Sequence, residues 1–202
     1  MRTASPSAQP QPKPAPTWTD RTNVELTQSI RGRRSVRAFR EKGVPEAVVR
    51  KLLDLARRAP SSMNGQPWHF IVVRRPALKR TLAKIKNRYC PAEKAAYRAD
   101  FLEQAHVLVV CVEKQRSHDR DVENAALAAA IFMLAAHAKG LSCVYMSAYQ
   151  KDAPGLAREI RKLFRLPLNV VPVTILPFGY PAARPAKKEL RNLEEMIHFE
   201  QF

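Results

Sequence analysis

The residues best suited to chemistry fall in three clusters. The first is Arg33-Arg34-Ser35-Val36-Arg37-Ala38-Phe39. A guanidinium offers a planar fork that pairs with two phosphate oxygens at once. In an extended segment residues 33, 35 and 37 point to one side. Arg33, Ser35 and Arg37 can then meet a ligand that carries a phosphate and a second electron-rich group. The other reading is a solvated basic loop. The second cluster is Ala59-Pro60-Ser61-Ser62-Met63-Asn64-Gly65-Gln66-Pro67-Trp68. Ser61, Ser62, Asn64 and Gln66 crowd short polar groups between two prolines, and proline limits how far such a loop must be ordered on binding. An ordinary helix end and turn has the same composition. The third cluster closes the chain: Pro177-Phe178-Gly179-Tyr180-Pro181, then Arg184, Lys187, Lys188 and Arg191. It completes a phosphate site or is a frayed basic tail.

These clusters need elements to hold them. Thr22 is a suitable N-cap for a helix through Glu25, Leu26 and Ile30. A second helix starts at Pro45, where proline suits the first turn, and its apolar residues Val48, Val49, Leu52, Leu53 and Leu55 share a face. Trp68–Val73 reads as a buried strand. Helices follow over 76–87 and 92–104, then a strand over 107–112. The segment 120–139 is apolar almost all round, which predicts a buried helix. A strand over 141–146, a helix over 154–164 and a strand over 170–176 complete a layered α/β or α+β domain. Residues 1–20 hold five prolines among Ser, Ala and Gln, and are expected to form a disordered tail. Residues 21–202 are expected to form one domain.

Composition narrows the function. The chain has 202 residues, 46% of them hydrophobic, so a sizeable core is affordable. With 35 Lys+Arg against 18 Asp+Glu, the net charge is +17, which favours anionic ligands. Only 6 glycines argue against a Gly-rich phosphate cradle and for side-chain phosphate contacts. Cys90, Cys111 and Cys143 form no CxxC pair, so neither a zinc site nor a disulfide framework is expected, and a reducing, cytoplasmic setting fits. The apolar run Ala125–Ala136 is short for a membrane span, and the N-terminus lacks the apolar stretch of a secretory signal. No membrane partner is expected. Nucleic acid is not expected either, because the basic stripe 74–88 lacks an aromatic or helix-turn-helix companion. His106, His137 and Trp68 read as packing residues, Cys143 as an inert thiol, and His118-Asp119-Arg120-Asp121 as a helix start rather than a metal site.

In their order and spacing, RRSVRAF, APSSMNGQPWHF, the segment Lys139-Gly140-Leu141-Ser142-Cys143-Val144-Tyr145, FGYP and the ending LEEMIHFEQF resemble the FMN-dependent nitroreductase family. The resemblance spans residues 22–202. It implies an α+β fold, with a mainly antiparallel central sheet flanked by helices, and an intertwined homodimer with two FMN sites at the subunit interface. This replaces the α/β alternative, since strand direction is not readable from one sequence.

Position by position, the resemblance implies that Arg33 and Ser35 contact the FMN phosphate, with Arg34 beside them. Arg37 falls at the pyrimidine edge, where a fixed cation stabilises negative charge on reduced flavin. Pro60, Ser61, Ser62 and Asn64, with Gln66, fall in the loop that reaches the other subunit's flavin. Met146 and Ser147 fall where backbone approaches the isoalloxazine, and Lys188 and Arg191 match the late basic pair. The implied activity is hydride transfer from NAD(P)H through flavin N5 to a small-molecule acceptor, such as a nitroaromatic, a quinone or a related electrophile, with ping-pong kinetics and no catalytic side-chain nucleophile. Ser142 and Ser147 stand where many relatives carry glycine, and a Cβ there crowds the ring. The alternative is therefore a flavin-binding redox sensor or flavin store with little turnover.

Overall fold

The structure, a computed structural model, describes residues 25–115, 119–149 and 154–202. The Pro-rich segment 1–20, the Thr22 cap and His118 lie outside them. The elements in chain order are α1 (Leu26–Gly32), α2 (Glu46–Ala56), β1 (Trp68–Val73), α3 (Pro76–Arg88), β2 (His106–Glu113), α4 (Asp121–Ala138), β3 (Ser142–Cys143), β4 (Met146–Ser147), α5 (Pro154–Phe164) and β5 (Val170–Gly179). Short 3₁₀ turns occupy Ser62–Asn64, Ala92–Tyr97, Asp100–Gln104 and Leu193–Glu195.

All the strand pairings are antiparallel, in the order β1-β2-β5-β3, with β4 also paired to β5. The expected α+β architecture is therefore present. β2 runs along one edge of β5 from His106↔Phe178 to Glu113↔Val170. β3 and β4 consequently share the other edge, at Phe178–Gly179 and at Thr174–Ile175.

Strand periodicity divides the core. Leu108, Val110 and Val112 of β2 point to one face, with Val49 and Leu52 of α2 and Phe132 of α4. Val107, Val109 and Cys111 point to the other, with Leu82 and Ile85 of α3 and Leu156 and Ile160 of α5. Covered on both faces, the middle strand is a continuous apolar run rather than an alternating one.

Three expectations need correction. The segment 92–104 is two 3₁₀ turns, not one helix. Asn87 separates them: its Oδ1 accepts from the Ala99 N–H at 2.7 Å and its Nδ2 donates to Asp100 at 2.7 Å. The strand over 141–146 is two strands of two residues each, interrupted at Val144 and Tyr145. Finally, α4 is buried on one side only. Asn124, Ala125, Ala128, Ala129, Phe132 and Ala136 are covered, whereas Val122 is 45% and Leu127 42% exposed. By length and composition alone α4 could cross a bilayer, but its covered side lies against α2 and the sheet.

Candidate functional site

The first cluster leaves the end of α1 in an extended strap beside the sheet. Ser35 bridges to Cys143 of β3, and the Val36 N–H donates to the Cys143 carbonyl at 3.3 Å. Farther on, Phe39 bridges to Pro181, and the Arg40 N–H donates to the Tyr180 carbonyl at 2.9 Å. Val36 and Phe39 are buried, while Ser35 and Arg37 are exposed. The strap thus packs its apolar residues inward and leaves the hydroxyl and guanidinium outside.

The arginines divide their work. Arg34 donates from Nη1 to the carbonyls of Arg31 at 2.7 Å and Arg33 at 2.8 Å, closing the C-terminal end of α1. Arg37 lies over the Tyr97 ring, 5.2 Å from its centroid. Among the described residues neither Arg33 nor Arg37 forms an ion pair with a carboxylate. A donor set without acidic partners fits an anionic ligand such as a phosphate. Arg33 also faces the half-buried His137 and the buried Cys143. It helps desolvation keep His137 below the usual histidine range, and it opposes the burial that pushes the Cys143 thiol up to about 12.

The second cluster sits at the opposite end of α4. The Ser62 N–H donates to Oδ1 of Asn124 at 3.0 Å, and Trp68 Nε1 donates to the Asn124 carbonyl at 2.9 Å. Within the loop the Gln66 N–H donates to Ser61 Oγ at 3.0 Å, and Gln66 Nε2 lies 3.3 Å from Asn64 Oδ1. Met63, Asn64 and Gln66 adopt left-handed φ values of 52°, 52° and 46°. Side chains rarely adopt that region, and the docked surroundings hold it in place. Gly65 packs so close to the Gln115 amide that a Cβ would overlap it.

Between the clusters α4 acts as a ruler. At Gly32, beside the arginines, an added Cβ would sit 2.7 Å from His137 Nε2. From Asn124 to His137 the helix rises about 20 Å. One chain therefore holds the two clusters apart.

The remaining expected residues also have definite places. Met146 and Ser147 form β4, opposite Ile175 and Thr174. The Ser147 hydroxyl bonds back to the Tyr149 carbonyl and accepts from the Tyr149 N–H at 3.1 Å. Lys188 and Arg191 lie in an exposed stretch, where Arg191 reaches Glu195 at 3.5 Å. Among the described residues no hydrogen bond or ion pair ties them to the strap. That stretch exposes Leu190, Leu193, Met196, Phe199 and Phe202. Pro60 is exposed at the mouth of the polar loop.

A cleft of about 440 Å³ opens between the start of α4, α5 and β5, with Tyr149 on its wall. None of the strap arginines lines it. Among the described residues no three His, Cys, Asp or Glu side chains gather to hold a metal. Asn124, Lys86 and Tyr97 are site-shaping residues that the sequence did not single out. An Asn on an otherwise apolar helix face was the available signal for the first.

The family model for the nitroreductase family matches residues 30–180, which include the strap, the polar loop and every strand. The chain belongs to the nitroreductase family. Among its relatives is a Methanothermobacter thermautotrophicus protein named as a candidate NADH dehydrogenase/NAD(P)H nitroreductase, 31% identical over 183 residues, 90% of either chain. An iodotyrosine deiodinase of Thermotoga neapolitana is 30% identical over 84% of this chain and 95% of its own length. Among solved structures, an FMN-dependent nitroreductase from Clostridium difficile superposes with a TM-score of 0.72 at 25% identity, over 87% of this chain and 99% of its own. The nitroreductase fold thus accounts for the whole antiparallel sheet and its flanking helices.

Proposed function

We propose that residues 21–202 form one FMN-binding domain and that the protein is a homodimeric, cytoplasmic NAD(P)H-dependent FMN oxidoreductase. The observation that carries this reading is the strap of arginines without acidic partners, set beside the edge of β3 in a nitroreductase fold. When bound, FMN supplies the hydride chemistry at N5. The chain's residues supply binding, orientation and charge.

Arg33 and the Ser35 hydroxyl hold the phosphate. Arg34 fixes the backbone that presents them. Arg37, steadied on Tyr97, places a cation at the pyrimidine edge and favours negative charge there. Met146 and Ser147 give a flat backbone edge for the ring. The polar loop of Pro60, Ser61, Ser62, Asn64 and Gln66 reaches the flavin of the partner subunit, and Lys188 and Arg191 reach a phosphate once the C-terminal stretch is seated.

Two features support a shared site. The strap and the loop lie at opposite ends of α4, so a two-fold axis across the exposed apolar side of α4 sets one copy's loop beside the other's strap. The exposed apolar residues of the C-terminal stretch then find cover on the second copy. Donor and acceptor use the same open face in turn, which gives ping-pong kinetics. The acceptor is a nitroaromatic, a quinone or another conjugated electrophile. The deiodinase among the relatives widens that class to halogenated phenols. The free thiols of Cys90, Cys111 and Cys143 support the cytoplasmic setting.

The test is an absorption spectrum of purified protein, then anaerobic titration with NADH and NADPH. A yellow dimer bleached by either nucleotide is expected. A colourless monomer that ignores micromolar FMN contradicts the reading. A flavin that stays oxidised for seconds after mixing favours storage or sensing over turnover.

A further inference from the structure

Lys86 is turned inward on α3, unlike Arg80, Lys84 and Arg88 on the same helix, which face solvent. Its ammonium donates to the Ser147 carbonyl at 2.8 Å. Burial keeps its pKa below the ordinary lysine value, with Cys90 acting in the opposite sense. Removing an ammonium from water carries a cost that one carbonyl only partly offsets. The contact therefore matters for what it holds.

What it holds is an open sheet edge. The Ala148 N–H donates to Val173 at 2.8 Å and the Val144 N–H to Pro177 at 3.4 Å, so these residues turn their backbone groups toward β5. In an antiparallel pair the groups of successive residues alternate in direction. Ser147, next to Ala148, therefore turns both its N–H and its C=O outward. At Cys143 the same outer edge is already covered by Ser35 and Val36. At Ser147 the carbonyl is taken by Lys86, which leaves the N–H facing away from β5.

We propose that Lys86 is a positioning residue for the flavin: by pinning the Ser147 carbonyl it aims the adjacent N–H at the bound ring and places a positive charge behind that edge. The inference rests on the flavin reading above, since it needs FMN against β4. Lys86 acts through Ser147 and is not a catalytic residue. The Ser147 hydroxyl, tied to Tyr149, braces the same turn from its other side.

Lys79 supplies the control. It is a second inward-turned ammonium on α3, but it donates to the carbonyls of Glu103 and of Ala105, the latter at 2.9 Å, away from β4. Lys86→Met, Lys86→Gln, Lys86→Arg and Lys79→Met are compared for melting temperature, FMN affinity by fluorescence quenching, visible flavin spectrum and midpoint potential. Lys86→Met is expected to weaken FMN about tenfold, the scale of one lost charged hydrogen bond, and to lower the potential. Lys86→Arg recovers most of both. Lys79→Met loses thermal stability but keeps wild-type affinity and potential. If Lys86→Met does not fold, Lys86→Gln, which keeps a donor without the charge, is read for the lowered potential. A folded Lys86→Met or Lys86→Gln protein with wild-type affinity, spectrum and potential overturns the proposal. A wild-type protein that binds no FMN overturns the reading beneath it instead.

Discussion

The Ser62 N–H donates to Oδ1 of Asn124 at 3.0 Å, and this bond fastens the polar loop to the start of α4. Asn124 is 2% exposed and also accepts Trp68 Nε1 on its backbone carbonyl. Asn124→Ala strands a loop donor, at a cost of about 1–3 kcal/mol. A lower melting temperature is expected, together with weaker FMN binding in the dimer. Unchanged FMN affinity would show that the loop does not reach a flavin.

The two neighbouring arginines should separate in experiment. Arg33→Ala removes a charged phosphate contact of about 1.5–3 kcal/mol, so FMN dissociation should rise roughly ten- to a hundredfold with little loss of stability. Arg34→Ala should instead loosen the end of α1, whose carbonyls it caps. Its effect belongs mainly in the melting temperature. Equal losses of FMN affinity in both variants contradict the division of roles.

Arg37→Ala is expected to lower the flavin midpoint potential more than it weakens binding, because it removes a cation from the edge where negative charge collects. Tyr97→Leu, which removes the ring beneath that guanidinium, should do the same to a smaller degree. Spectroelectrochemistry that finds both potentials at the wild-type value rules out Arg37 at that edge.

Acid should destabilise the fold in two stages. Desolvation, aided by Arg74 and Lys79, holds His106 below the usual histidine range, and desolvation with Arg33 and Arg34 does so for His137. For such groups the unfolded chain takes up protons first. Stability is full above an unfolded pKa of about 6.5 and declines as pH drops below it. His106 Nε2 accepts the Val44 N–H at 3.3 Å, a bond that protonation removes. Glu46, Asp54, Asp100 and Glu123 are held below the usual carboxylate range chiefly by arginine partners or backbone hydrogen bonds, but water screens these exposed pairs, so they add only a slight second decline below about pH 4.5. Thermal melts from pH 8 to about 3 read both. A flat profile between pH 7 and 5 contradicts the half-buried, neutral histidines.

Much of this architecture was legible in the residues, and the exceptions have physical causes. The helices α2, α3 and α5 follow from apolar periodicity and their prolines, and the runs 68–73 and 107–112 read directly as strands. The break at Val144 and Tyr145 left no trace, because both residues continue an apolar run. The two turns over 92–104 use helix-forming residues, and the Asn87 side chain that bonds at their junction lies a dozen residues earlier in sequence. The exposed side of α4 read as core because composition cannot tell a covered apolar face from an exposed one. The polar loop and the strap were visible as motifs, but Asn124 and Lys86, which position the loop and β4, were not. Their partners lie sixty residues or so away in sequence, beyond any local pattern.

The central claim is that each flavin is held by the arginine strap of one copy and the polar loop of the other. Subunit mixing tests it most directly. Arg33→Ala/Arg37→Ala protein and Ser61→Ala/Ser62→Ala/Asn64→Ala protein, each poor in FMN alone, are unfolded, mixed equally and refolded with FMN. Random re-pairing should restore about a quarter of the wild-type sites, one intact site in each mixed dimer. Mixed dimers that recover no FMN beyond the two parents place strap and loop in the same subunit's site, and contradict the account.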